Sequence, residues 1–419
     1  MVRRGLVVSY YFPPQGGGGV QRWIKFIKYL SQRNWQFSVI AAPPEVSIPL
    51  DESLLGELPA NLKIYRIPES HQPKSFSHAF YSKLNRTYFL RWLSALIHVT
   101  DSRFYWCKII KPKIEELLDK QKFDILIFTV PPYSLTSLAA EYSTLNKTPV
   151  LLDLRDPWTI NPYKIYPTPF HRYFDTLREK KVIRSIQLIS SAYQSTLQFY
   201  QDTIPEFDKK QFVYIPNGFD EADFLGLNEK KSAADDVFRI GFSGSLYSHV
   251  NVPKPLLDAL KMLRNNGYKI ELHHFGTSVY DIKHLAQSMG LQDVYIEHGY
   301  LPHKEALQAL MGMDATCLIL DEAHVHADKT VGGKLYEYLR LKKPIIAIVP
   351  EGGEAARTIY QTDSGIVCSK RNPAKIAAEI NRLIQKERDF SFLNIAQYER
   401  KKLSEQMREF IEENIDIHK

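Results

Sequence analysis

Cysteine is scarce: Cys107, Cys317 and Cys368 are the three in 419 residues. Their odd number and wide spacing exclude a disulfide framework and a zinc-finger pattern, and fit a reducing cytoplasm. Long apolar runs are missing too. No stretch approaches the roughly 18 uncharged residues of a membrane-crossing helix. The opening run LVVSYY is too short and too aromatic for a signal peptide, and Pro13 and Pro14 end it. No G-x-G-x-x-G fingerprint, nucleic-acid module or arginine-rich arm is present, so neither a dinucleotide site nor a nucleic-acid partner is expected. No repeat occurs at solenoid periods. No Ser–His–Asp or Cys–His arrangement can be argued.

What is there describes a globular chain, 44% hydrophobic and 24% charged. Its length calls for two or more domains. The formal net charge is +7, which reads either as an ordinary basic surface or as a preference for anionic partners. Residues 74–113 mix aromatic and cationic side chains. Tyr88, Phe89, Trp92, Leu93 and Leu96 share one helical face there, with Arg86 and Arg91 elsewhere. That face reads either as an interfacial segment touching an anionic membrane or as a core helix.

Apolar strand-like runs alternate with helical patterns along the chain. LVVSYY precedes a helix with Val20, Trp23, Ile24, Ile27 and Leu30 on one face. FSVIAAP, DILIFTVPP, PVLLDLRDPW, LISSA and FVYIPNGFD follow. After the polar stretch Asn228 to Asp236 the pattern restarts with FRIGFSGSLY and continues through KIELHHFG, VYIEHGYLP, ATCLILD, PIIAIVP and SGIVC. This is the α/β pattern of doubly wound parallel sheets. Three parts are expected: a Rossmann-like domain over 1–205, a second over 206–398, and a helix over 399–419 with Leu403, Met407, Phe410 and Ile411 on one stripe.

Ligands of such sheets bind at the carboxyl ends of the strands, so the loops there are the candidate sites. The stretch YYFPPQGGGGV holds four of the twenty glycines at one strand-to-helix turn. It is either a flexible turn or a place where backbone N–H groups meet an anion. Gly244 and Ser245, in GFSGSLY, fit a phosphate or a plain tight turn equally. Gly332, Gly333 and Lys334 open a helix and form the strongest candidate, a diphosphate cradle of N–H groups and an ammonium. Glu337, one turn on, can accept bonds from two vicinal hydroxyls, or cap the helix. Asp153, Arg155 and Asp156 end a strand; they can grip sugar hydroxyls or phosphate, or form a salt-bridged turn. His324, His326 and Asp328 lack a third histidine, and no metal is expected there. His273 and His274 read as packing residues.

Together these segments, with IPNGFD, GYLPHKEALQALMGMDA and GGKLYEYLRLKKPIIAI in order, resemble retaining glycosyltransferases of family 4 along nearly the whole chain. The resemblance implies the GT-B fold, two Rossmann-like domains facing across a cleft, with the last helix returning to the first domain. It implies a nucleotide-sugar donor and a glycan or lipid-linked acceptor, and neither cofactor nor metal. Carried over, Gly17 and Gly18 approach the donor, and Gly244 and Ser245 lie near the diphosphate. Gly332, Gly333 and Lys334 hold the diphosphate, and Glu337 binds the ribose. Asp153, Asp156 and Lys334 are the candidate catalytic residues. The family's basic residue after the second domain's first strand falls nearest Lys254. The sequence departs from the pattern at Lys329, where many members carry a first glutamate; a lysine adds charge at the diphosphate, and Asp328 beside it can take the sugar. Front-face transfer with retention is implied; the chain is expected in the cytoplasm, and the 74–113 face, if interfacial, puts it at the inner face of the membrane. A nucleotide-sugar 2-epimerase and a non-catalytic nucleotide-sugar-binding scaffold stay open as alternatives.

Overall fold

The computed structural model describes residues 2–45, 50–69, 92, 94–96, 98–145, 148–228, 236–246, 253–278, 281–320 and 326–417. The chain divides into two compact units, Met1–Asn217 with Arg400–Lys419, and Gly218–Glu399.

The first unit holds β1 (Arg3–Ser9), α1 (Gly18–Ser31), β2 (Trp35–Ala41), β3 (Lys63–Arg66), α2 (Phe104–Lys120), β4 (Ile125–Val130), α3 (Leu135–Leu145) and β5 (Val150–Leu154). Then come α4 (Pro169–Ser185), β6 (Leu188–Ser191), α5 (Gln194–Thr203) and β7 (Gln211–Tyr214). The sheet order is β3-β2-β1-β4-β5-β6-β7, and every pairing is parallel. Parallel strands are covered on both faces, which is why ILIFTV of β4 and VLLDL of β5 are buried without a break. The apolar face of α1 buries Trp23, Phe26, Ile27 and Leu30.

The second unit holds β8 (Phe238–Ser243), α6 (Lys254–Asn265), β9 (Ile270–Phe275), α7 (Ile282–Ser288), β10 (Tyr295–Gly299), α8 (His303–Met311) and β11 (Ala315–Ile319). It continues with α9 (Lys334–Leu341), β12 (Ile345–Ile348), α10 (Glu354–Thr362), β13 (Gly365–Cys368) and α11 (Pro373–Ile384). Its sheet, again parallel, runs β10-β9-β8-β11-β12-β13. Its core joins Ile240, Leu256, Leu260, Ile346 and Ile380.

The last helix, α12 (Arg400–Ile417), belongs to the first unit. Leu403, Met407, Ile411 and Ile415 enter one core with Trp23, Phe26 and Trp35, and Phe410 packs at its edge. The division between the units differs from the 205/206 boundary read from the sequence. β7 pairs with β6 from Leu188↔Gln211 to Ser191↔Tyr214, and Ile215 enters the first core, so the first unit runs on to Asn217.

Candidate functional site

In the second unit the order reverses between β8 and β11, the place where such sheets bind ligands. The turn leaving β8 is built around Gly244, whose φ of 127° is open to glycine and strained for other residues. The Gly244 N–H donates to the Phe275 carbonyl at 3.0 Å. A Cβ on Gly276 would stand 2.0 Å from the Gly244 oxygen, so both positions need glycine. His274 clamps the same turn, its Nε2 2.8 Å from the Gly244 oxygen. A carbonyl only accepts, so Nε2 carries the proton; burial lowers the imidazole pKa and keeps the ring neutral. Its Nδ1 then accepts from the Tyr295 hydroxyl at 2.7 Å. His274 thus packs, as expected, and also fixes the loop. Ser245 is 3.1 Å from the Thr277 hydroxyl. The Ser243 N–H donates to the Tyr338 hydroxyl at 2.9 Å, tying β8 to α9.

Gly332 and Gly333 lead into α9. Gly333 is its N-cap and no side chain caps it. A Cβ on Gly333 would meet nothing within 4 Å, so the backbone is open to a ligand there. Gly332 is closed in by Leu318, 3.0 Å from where a Cβ would sit. Lys334 reaches Glu337 Oε2 at 3.3 Å, and His303 Nε2, from α8, lies 2.9 Å from Glu337 Oε1. Burial pushes the Glu337 carboxyl up, but Lys334 and His303 outweigh it and hold the group ionised. Burial lowers the His303 pKa, and the Glu337 carboxylate more than reverses this. Asp223 stands 3.9 Å from His303 Nδ1. Glu337 is therefore a pinned carboxylate. One protein donor per oxygen leaves lone pairs for hydroxyls. His303 was not singled out from the sequence; it follows a proline at a helix start, and nothing local reveals Glu337 as its partner.

Lys329 ends a short 3-10 turn and pairs with the neighbouring Asp328 at 3.5 Å. His324 lies outside the described residues. Lys254 opens α6 and pairs with Asp258 one turn on at 2.8 Å. Residues 247–252, between it and the Gly244 turn, are outside the described ones.

In the first unit, α1 begins at the glycine run. Gly17 is its N-cap with φ 97°, no side chain caps the helix, and its first turn has no acid. Gly17 and Gly18 face open space, whereas a Cβ on Gly19 would be 3.3 Å from the Arg155 guanidinium carbon. Arg155 donates to the carbonyls of Gly19 and Pro131, binding together the start of α1 and the loops after β4 and β5. Asp156 is half-buried and accepts from the Tyr193 hydroxyl at 3.4 Å. Burial raises its pKa against the opposing charge of Arg155.

Asp153 requires correction. It is fully buried and faces the core of the sheet. Arg22 Nη2 is 3.0 Å from Oδ1; Trp23 Nε1 donates to Oδ2 at 2.8 Å; Thr129 and Ser190 supply hydroxyls at 3.0 and 2.7 Å. With its oxygens taken by four side chains it is a structural counter-ion, and its partner is Arg22 rather than Arg155. Of the aromatic stretch, 74–91, 93 and 97 lie outside the described residues. Trp106 and Cys107 at the start of α2 are buried, Phe104 and Tyr105 exposed.

Residues 227–410 match the family model of the glycosyl transferases group 1. No curated protein sequence matches the chain. Among solved structures, Anabaena HepE in complex with UDP and glucose superposes with a TM-score of 0.65 at 14% identity, covering 98% of this chain and 100% of that one. The lipopolysaccharide outer core galactosyltransferase WaaB gives 0.59 at 12% identity, covering 98% and 99%. UDP-GlcNAc 2-epimerase from Methanocaldococcus jannaschii gives 0.56 at 13% identity, covering 98% and 99%. The chain therefore has the GT-B fold, two Rossmann-like domains with parallel sheets, and its residues 227–410 carry the signature of the glycosyl transferases group 1.

Proposed function

We propose that the chain is a retaining glycosyltransferase that moves a hexosyl group from a nucleotide-sugar to a glycan or lipid-linked acceptor. The observation that carries this reading is the Lys334–Glu337–His303 cluster beside the open backbone at Gly333. The pinned Glu337 carboxylate accepts the ribose hydroxyls. Lys334 and the N-terminal amides of α9 neutralise the diphosphate as it leaves, so the reaction needs no metal or other cofactor. The clamped Gly244 turn carries Ser245, whose hydroxyl serves as a further donor to the diphosphate, and Lys329 adds charge beside Asp328. Lys254 is a more distant candidate for the same anion. In the first unit the α1 amides at Gly17 and Gly18 and the carboxylate of Asp156 serve the transferred sugar or the acceptor. Transfer runs on the front face, the acceptor proton passing to the leaving phosphate oxygen. The reaction belongs in the cytoplasm, on the inner face of the membrane.

The test is calorimetric titration with UDP, GDP and ADP in the presence of EDTA. One nucleotide binds in the micromolar range, and Glu337→Ala and Lys334→Ala each weaken it by about tenfold or more. Binding unchanged in both variants, or absent with all three nucleotides, removes the assignment. UDP is the first choice, because the HepE structure holds UDP. The likeness to the 2-epimerase supports a second reading. In that case the protein would release free sugar and nucleotide with no acceptor present.

A further inference from the structure

The first unit carries an outward apolar face that the donor chemistry does not use. α4 places Phe170, Tyr173, Phe174 and Leu177 at positions i, i+3, i+4 and i+7, the spacing that ordinarily marks a buried stripe. Here the stripe faces out, with exposures from 47% at Leu177 to 73% at Phe170. The same face continues toward the carboxyl end of the helix with Lys180, Lys181 and Arg184. Its two acids point the other way. Asp175 is buried and accepts from Thr100, Trp158, Tyr166 and Lys164; Glu179 is buried and accepts from Thr159 and Tyr200. The helix is thus inverted, its carboxylates inside and its aromatic rings outside.

The first unit has a second exposed aromatic group. Phe104 and Tyr105 are exposed at the start of α2, and Thr100, just before that helix, donates to Asp175 at 2.8 Å. Lys108 sits 4.8 Å over the Phe104 ring. Among the described residues no helix is long and apolar enough to cross a membrane.

We propose that the outer face of α4 is a membrane-docking surface for anionic lipid. The rings of Phe170, Tyr173 and Phe174 enter the headgroup boundary, with the helix lying along the surface. Lys180, Lys181 and Arg184 pair with lipid phosphates. The charge pattern selects this occupant. A helix with cations and no outward carboxylate complements an anionic surface and repels a second copy of itself. The surface is independent of the nucleotide-sugar reading, because its test requires neither donor nor acceptor.

The experiment is flotation of the full chain with phosphatidylcholine vesicles, with and without phosphatidylglycerol. The parent floats with the anionic vesicles and is released by salt. The F170S/F174S variant loses about tenfold or more in partitioning. The K180E/K181E variant loses the preference for anionic lipid, which keeps the test decisive should the first variant misfold. No flotation, equal flotation with both vesicles, or flotation unchanged in both variants overturns the proposal. So does a parent that stays in solution as a dimer and becomes monomeric in F170S/F174S, since the occupant would then be a second copy.

Discussion

Asp153 shows how a residue at the right place in a strand can be misread. It ends an apolar run in a parallel sheet, where acids serving a ligand are found, and no neighbour in sequence reveals Arg22, 131 positions earlier. Removing one partner of a buried pair strands the other charge. Asp153→Asn is expected to lower unfolding stability by ~3–5 kcal/mol in urea titration. An unchanged midpoint with lost turnover would return Asp153 to the chemistry. His303 makes a different prediction. Its folded pKa lies above the ~6.5 of a free imidazole because Glu337 outweighs burial. Its contribution to stability is complete below that unfolded value and is lost as pH rises through the folded one. His303→Gln keeps an N–H at similar reach but does not titrate. The parent should therefore lose stability relative to the variant as pH rises from below ~6.5 through the folded value. Parallel thermal profiles for the two proteins would deny the charged pair.

At the scale of elements, the sequence spoke most clearly where physics leaves one solution. Strands covered on both faces must be apolar throughout, so β4, β5, β11 and β12 stand out as unbroken runs. The face of α1 was legible for a related reason, since Trp23, Ile24, Ile27 and Leu30 recur at helical spacing and all are buried. β7 was harder to place. QFVY is short and half-buried, and which sheet it joins depends on pairing with β6, a contact that periodicity does not encode. α4 shows what spacing leaves out. Spacing identifies an apolar stripe but not the direction it faces. Here a buried network around Asp175 and Glu179 claims the inner side. The glycine run was legible in kind but not in detail. Gly17 and Gly18 face open space, while at Gly19 the Arg155 guanidinium packs against the position of a Cβ.

At the scale of the whole molecule, the chain's path makes the two units unequal partners in folding. The unit Gly218–Glu399 is continuous, whereas the other is completed by Arg400–Lys419 after the chain has built the second. Without α12, the first core would lose Leu403, Met407, Ile411 and Ile415. Each is worth about 1.5–3 kcal/mol when buried. Together they rival the net stability of a domain, about 5–15 kcal/mol. Residues 1–217 alone are therefore expected to aggregate or remain partly unfolded. Residues 218–399 should give a soluble protein with one cooperative thermal transition. That fragment holds Gly244, Lys334, Glu337 and His303, and its own contacts pin the Glu337 carboxylate. It should retain the parent's nucleotide preference in calorimetry. A folded fragment that binds no nucleotide, beside a parent that does, would show that the cluster is insufficient and that groups of the first unit are required.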